Sequence, residues 1–342
     1  MHIHVDYPKG LANMKHLYVI GNGFDIAHKL SSRYSDFRHW LEENNPEVYD
    51  LMVEYFPDVA EDNVEWWSDF ENNLDTVSAH DAIYRTASEN YPNFGSDDFR
   101  DADYHVAAFC MEEEILKLYR SIQESFELWV QQIGLPKGGL RMILPHNAFY
   151  LTFNYTDTLE DYYNISSDNI LHIHGRESIG DPLIFGHAGN YEHISSGTEM
   201  DIPNPSDSLD EDELEQWFEN NANDYIVSST RSSAQKAILE FKKPTEEIIE
   251  KYRIFFGRCR DLETITIYGL SLSPVDMPYL QQIVRHCDLH NVHWYIYYYS
   301  ENDYNSIVGA LESLKIPLNK TSIIKSSEFP NSINIQPTIP GL

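Results

Sequence analysis

KHLYVIGNGFD, residues 15–25, is an apolar run that stops at two closely spaced glycines. A short apolar run closed by a glycine turn reads as a buried strand. Strand, glycine turn and helix in that order open a doubly wound sheet. Gly21, Asn22 and Gly23 are small residues that let the backbone approach a ligand, and a helix N-terminus behind them favours phosphate. The third glycine of the full dinucleotide pattern is missing. Phe24 and Asp25 complete the turn, and Asp25 fits either a ribose hydroxyl or an ordinary helix cap.

Working outward, strand-like segments recur at 148–154 (AFYLTFN), 170–174 (ILHIH), 263–269 (ETITIYG) and 293–299 (HWYIYYY), with a further short one at 183–185 (LIF). Helical patterns occupy 230–242, 245–258, 275–287 and 303–314. This alternation predicts an α/β fold, a Rossmann-like parallel sheet flanked by helices. Ile115, Tyr119, Ile122, Phe126, Trp129 and Ile133 recur at helical spacing, so they share one face of a helix over 113–133 that Gly134 and Pro136 end. That stripe needs burial, inside the chain or against a second subunit as a homo-oligomer. The expected organisation is one domain over 14–342, with a mainly helical insertion at 40–145 and a polar acidic loop at 190–228. Residues 1–13 read as a short polar leader.

Composition bounds the function. The chain has 342 residues with 42% hydrophobic and 13% aromatic content, enough for a packed core. It has no apolar run long enough to span a membrane, and its first ten residues do not resemble a signal peptide. Cys110, Cys259 and Cys287 are odd in number and share no metal-ligand spacing, which fits reduced thiols and a cytoplasmic location. A net charge of −31 opposes nucleic-acid binding through a broad basic surface. An anionic ligand must therefore be held by local devices.

Four clusters fall where the strands end, and in an open parallel sheet ligands bind outside those ends. The first is the glycine turn. The second, Thr152-Phe153-Asn154-Tyr155-Thr156-Asp157, offers an amide that can orient a water or a sugar hydroxyl, or simply close a turn. The third is His172-Ile173-His174-Gly175. Strand alternation puts both histidines on one face, and His174, beside a glycine that leaves its ring accessible, is the better general base. His187 follows nearby, but no carboxylate or cysteine completes a metal-ligand spacing, so no metal is expected. The fourth runs from Gly269 to Asp276 and presents Ser271 and Ser273. Asp276 and Pro278 there fit ordinary helix initiation, and the pattern is not a serine-hydrolase elbow.

Taken in order, IGNGFDIAHKL…YSDF, Trp67 to Glu71 (W-x-DFE), LTFNYTDTLE, LHIHG, FGH and YGLSL…D resemble the AbiH family of bacteriophage abortive-infection proteins. The same series is similar to the sirtuin-like NAD-binding fold. Gly21-Asn22-Gly23 matches its Gly-Ala-Gly turn, and Ser35-Asp36-Phe37-Arg38 resembles its Pro-Asp-Phe-Arg. Asn154 matches the asparagine of its Thr-Gln-Asn motif and His174 its catalytic histidine, while Gly269-Leu270-Ser271-Leu272 resembles its Gly-Thr-Ser-Leu segment. The two Cys-x-x-Cys pairs that hold zinc in sirtuin deacetylases are missing, which argues against deacetylation.

The resemblance implies a sirtuin-like core and an antiphage effector that hydrolyses NAD, its nucleotide substrate, at the nicotinamide–ribose bond, set off by a phage-derived trigger. It implies catalytic roles for Asn154 and His174. It also implies nucleotide contacts from Gly21, Asn22, Gly23, Phe24, Asp25, Asp36, Phe37, Arg38, Thr152, Asp157, Gly269 and Ser271. Two other readings stand beside it: a nucleotide- or phage-sensing module acting through a partner, and a toxin directed at nucleic acid.

Overall fold

The computed structural model describes Lys9, Leu11 and residues 14–59, 63–93, 96–137, 141–198 and 222–331. Most of the expected leader and the centre of the acidic loop, 199–221, lie outside the described residues. The chain divides into two compact units, one of residues 1–37, 127–185 and 244–342, the other of 38–126 and 186–243.

The first unit holds a sheet of six strands: β1 (His16–Ile20), β2 (Phe149–Thr152), β3 (Ile170–His172), β4 (Thr264–Tyr268), β5 (His293–Tyr298) and β6 (Thr321–Lys325). All neighbours run parallel in the order β3-β2-β1-β4-β5-β6. This is the strand order of the dinucleotide-binding α/β folds, and its direction reverses between β1 and β4. The run 183–185 is not a strand. Leu183 and Phe185 are buried there in irregular backbone, and Gly186 takes a φ of 152°.

Period-two alternation sorts the two faces of the sheet. Leu17, Val19, Leu151, Ile265, Ile267, Trp294 and Ile296 pack with Phe255, Phe256, Tyr279, Leu280 and Ile307 from the following helices. Leu11 is buried with them, so that residue of the expected polar leader belongs to the core. The opposite face carries Ile20, Tyr150, Tyr268 and partly buried Tyr18 and Tyr297. Tyr18 stacks on Tyr150 with ring centroids 5.1 Å apart, and Tyr268 lies 5.8 Å from Tyr297. Tyr18, Tyr150, Tyr268 and Tyr297 therefore serve packing on this face.

The second unit is helical, including Pro46–Tyr55, His80–Glu89, Ala222–Glu240 and most of Val106–Val130. Ile115, Tyr119, Ile122, Phe126 and Trp129 of the apolar stripe are all buried within this single chain, so that face is covered without a second subunit. Tyr119 stacks on Phe241 at 4.4 Å and donates its hydroxyl to the Leu74 carbonyl at 2.8 Å. The W-x-DFE segment is structural. Trp67 and Phe70 stack at 5.2 Å, and Glu71 Oε2 meets buried Lys243 Nζ at 2.6 Å. Asp75, also buried, accepts from the Asn190 backbone N–H at 2.7 Å and from His193 Nδ1 at 2.8 Å. No helix among the described residues is long and apolar enough to cross a membrane.

Candidate functional site at the strand ends

The glycine turn closes on its neighbour. Gly21 N–H donates to the Tyr268 carbonyl at 3.0 Å, Gly23 N–H to the Gly269 carbonyl at 2.8 Å, and Phe24 N–H to the Gly21 carbonyl at 2.9 Å. A Cβ on Gly21 or Gly23 would fall 2.6 Å from the backbone of Gly269 or Leu270. One on Gly269, whose φ is 70°, would lie 2.4 Å from Phe24 N. The three glycines thus interlock the loops after β1 and β4 at the point where the strand order reverses. What approaches their backbone is the protein itself, and the amides of Gly21, Gly23 and Phe24 are already donated within it. The helix behind the turn, Gly23–Ala27, has only five residues, too short to present a strong N-terminal dipole. Asn22 Nδ2 donates to the Ser32 carbonyl at 2.7 Å.

Asp25 neither caps that helix nor reaches solvent. Its carboxylate, 1% exposed, accepts the hydroxyls of Thr156 at 2.6 Å and Thr158 at 2.8 Å. Burial raises its pKa to about 6, with the two threonine hydrogen bonds, the charge of His172 and a hydrogen bond from Asn154 pulling the other way. Asn154 is 7% exposed, and its Oδ1 is buried with no hydrogen-bond partner. A buried acceptor left unmade costs about 1–3 kcal/mol, so such an atom calls for an explanation. Thr152 Oγ1 accepts the Asn154 N–H at 3.1 Å and fixes the turn.

The two histidines part company. Alternation holds only while the strand lasts, and β3 ends at His172. His172 Nε2 lies 2.8 Å from Glu160 Oε1 and Nδ1 3.2 Å from the Asn154 carbonyl, and both are hydrogen bonds only if the ring carries two N–H groups. Arg176 joins the same network, donating to Asp157 and standing 3.5 Å from Glu160. His174 follows in the turn. It packs against Phe153 at 5.2 Å and Tyr279 at 5.5 Å, and its Nε2 is 4.0 Å from Asp276 Oδ1. At 2% exposure the ring is buried, contrary to the expectation of access; Gly175 (φ 88°) is occupied by the close approach of the Pro182 carbonyl.

The remaining expected contacts scatter. Phe37 is fully buried against Trp129 at 5.2 Å, so it is a core residue. Asp36 Oδ2 accepts the Arg33 N–H at 2.9 Å at the start of a helix, and Arg38, in the second unit, pairs with Glu42 at 3.0 Å. Ser271 is exposed in the loop after β4. His187 belongs to the second unit, fully buried with Nε2 on the Ile238 carbonyl at 2.8 Å, and burial lowers its pKa.

A recess of about 120 Å³ opens beside the cluster, bordered by Tyr155, Thr156, Asp157, Asp161, Glu177 and the apolar residues Val130 and Ile133. It is well below the roughly 300–1,000 Å³ of pockets that enclose drug-sized ligands. No group of three His, Cys, Asp or Glu side chains suited to a metal ion occurs among the described residues. Thr156, Thr158, Glu160 and Arg176 escaped sequence reading because their types are common in turns and only the fold brings them to Asp25 and His172.

Sheet order, interlocked loops at its reversal and a buried polar cluster at the strand ends define an α/β protein built on a six-stranded, all-parallel sheet flanked by helices. The chain belongs to the bacteriophage abortive infection AbiH family, whose model matches residues 17–298. That membership points to a role in phage abortive infection. No curated protein matches the chain.

Proposed function

We propose that the protein is an abortive-infection effector that hydrolyses NAD at the nicotinamide–ribose bond, with the sirtuin-like resemblance of its motifs as the guide to substrate. The observation that supports this most is the unsatisfied, buried Oδ1 of Asn154 beside the Asp25 carboxylate at the strand ends. In this reading Asn154 orients the attacking water or a ribose hydroxyl, and His174 takes the water's proton. Water adds to the ribose carbon as its bond to nicotinamide breaks, giving ADP-ribose, nicotinamide and one proton. Charge developing on the ribose is stabilised by oxygen acceptors already in place.

The nucleotide-contact set keeps Gly21, Asn22, Gly23, Phe24, Asp25, Asp36, Phe37, Arg38, Thr152, Asp157, Gly269 and Ser271 as proposals of unequal support. Asp25, Thr152 and Asp157 stand in or beside the polar cluster. The glycine amides are engaged elsewhere, so the pyrophosphate must be held by other groups. The recess of about 120 Å³ borders Thr156 and Asp157 but not Asn154 or His174, which are buried, so in this reading a phage-derived trigger opens the loops to admit the dinucleotide.

The enclosed His174 also favours a second reading, a nucleotide-sensing module that acts through a partner. The test follows NAD in cells expressing wild type, Asn154→Ala and His174→Ala, before and during infection. Collapse of NAD with wild type alone supports hydrolysis. Steady NAD during an infection that wild type still aborts sinks it, and retained nucleotide affinity in His174→Ala then favours the sensor.

A further inference from the structure

We infer that Asp25 is the positioning residue for Asn154, holding the amide by its NH2 group so that Oδ1 is left as the open acceptor of the site; this rests on the reading of Asn154 as the residue that orients water or a ribose hydroxyl. The other hydrogen-bonding groups of Asn154 are all engaged. Its N–H donates to Thr152 Oγ1 at 3.1 Å, and its carbonyl lies 3.2 Å from His172 Nδ1. The side-chain NH2 donates to the Asp25 carboxylate. Oδ1 alone is buried without a partner among the described residues.

An ionised carboxylate accepts hydrogen bonds and donates none. An amide beside it therefore turns its NH2 inward, since the reverse would set oxygen against oxygen. Asp25 is itself held firmly enough to impose that choice. Its backbone carbonyl accepts the N–H of His28 at 3.0 Å and of Leu30 at 3.1 Å, which anchors the turn after β1. Thr158 and Thr156 each take one carboxylate oxygen, at 2.8 and 2.6 Å. The turn after β2 is tied back to β1 by Phe153 N–H on the Ile20 carbonyl at 2.9 Å. The charged group bearing on Asp25 is His172, whose Nε2 stands 2.8 Å from Glu160 Oε1, with Arg176 behind at 3.5 Å from Glu160. An ionised phosphate, an acceptor only, finds no partner at Oδ1, whereas a hydroxyl does. Asp25 thereby acts on a ligand through Asn154.

The experiment follows the Asn154 side-chain NH2 by NMR in the full-length protein across the titration of Asp25, its signals assigned by their loss in Asn154→Ser. A protonated carboxyl is the weaker acceptor. The NH2 signals are therefore expected to move upfield on acidification, with a midpoint at about 6. In Asp25→Asn they should stay fixed. Signals that do not move in the wild type overturn the inference, and so does a movement that persists in Asp25→Asn, which would belong to His172. Should that variant not fold, the Asp25 carboxyl carbon is followed in the wild type: a shared midpoint supports the pair and separate midpoints overturn it. NAD turnover is measured separately on the triggered protein. The amide introduced by Asp25→Asn can donate as well as accept, so it no longer dictates which way Asn154 turns, and turnover should fall at least about tenfold. A variant that turns NAD over as fast as wild type leaves Asp25 merely structural and overturns the inference. Coupled titration without turnover in any form removes the hydrolase reading and keeps the pair, whereas turnover with unmoved NH2 signals does the reverse.

Discussion

The loops after β1 and β4 and the polar cluster after β2 and β3 sit at the same end of one sheet, and they invert the expectations their sequences raise. Gly21-Asn22-Gly23 looks like a phosphate cradle, yet its amides and the space beside its α-carbons are taken by the loop of Gly269. Thr152–Thr158 looks like an ordinary turn, yet it surrounds a buried carboxylate and an amide oxygen with no partner. Glycine records that something comes close to the backbone without saying whether it is ligand or protein. A buried polar atom without a partner among the described residues records a cost of about 1–3 kcal/mol, which Asn154 Oδ1 shares with atoms such as Trp294 Nε1, so it is its place beside Asp25 at the strand ends that singles it out.

The difference can be broken most directly at Gly269. Gly269→Ala forces a Cβ into the Phe24 backbone at an unfavourable φ, and is expected to cost at least about 3 kcal/mol. Urea unfolding would show this as a large fall in midpoint at unchanged slope; a loss below about 1 kcal/mol would mean that the loops part readily. Asn154→Ala should cost about 1.5–3 kcal/mol of stability through the lost hydrogen bond to Asp25, while lowering NAD turnover by about a hundredfold, the scale of losing one positioned polar group. Rates measured on the triggered protein test it, and an unchanged rate would remove Asn154 from the site.

Asp25→Asn sharpens the contrast from the other side. The folded pKa of about 6 lies above the ordinary carboxylate value, so the folded state holds a proton that the unfolded chain has lost. Stability is therefore full below about pH 4 and falls as pH rises through 4 to 6, by up to about 2–3 kcal/mol. Asp25→Asn should raise the melting temperature at pH 7 and change it little at pH 4. A gain equal at both pH values would show that charge burial is not the cause. The smallest effect belongs to Arg38→Ala, which removes the pair with Glu42 and the hydrogen bond to Tyr49 and should shift stability by about 0.5–1 kcal/mol and NAD turnover only a few-fold. A hundredfold loss of turnover would make Arg38 a principal nucleotide contact.

Much of the fold was legible because five strands are apolar runs closed by polar or glycine breaks. β6, TSIIK, escaped because an edge strand is only half covered and its residues need not be apolar. The run 183–185 misled for the opposite reason: three buried residues suffice for a packed loop. Of the candidate site, Asn154 and His174 were picked out by residue type at strand ends. The burial of Phe37 was not legible, because a motif likeness says nothing of which way a ring turns and its partner Trp129 is remote in sequence. Asp276 and Pro278 were read as helix initiation, and the helix Met277–His286 begins there.

Strand order also bears on how the protein is made. β1 is made before the other five strands of its sheet and lies in the middle of it, with β4 as its second neighbour. The helical unit is likewise completed by a second excursion of the chain, which ends at residue 243. A nascent chain short of residue 269 lacks β4 and the Gly269 interlock together. A copy synthesised only as far as β3 cannot hold the assembled strand ends, so whatever activity resides there waits until the chain has passed β4.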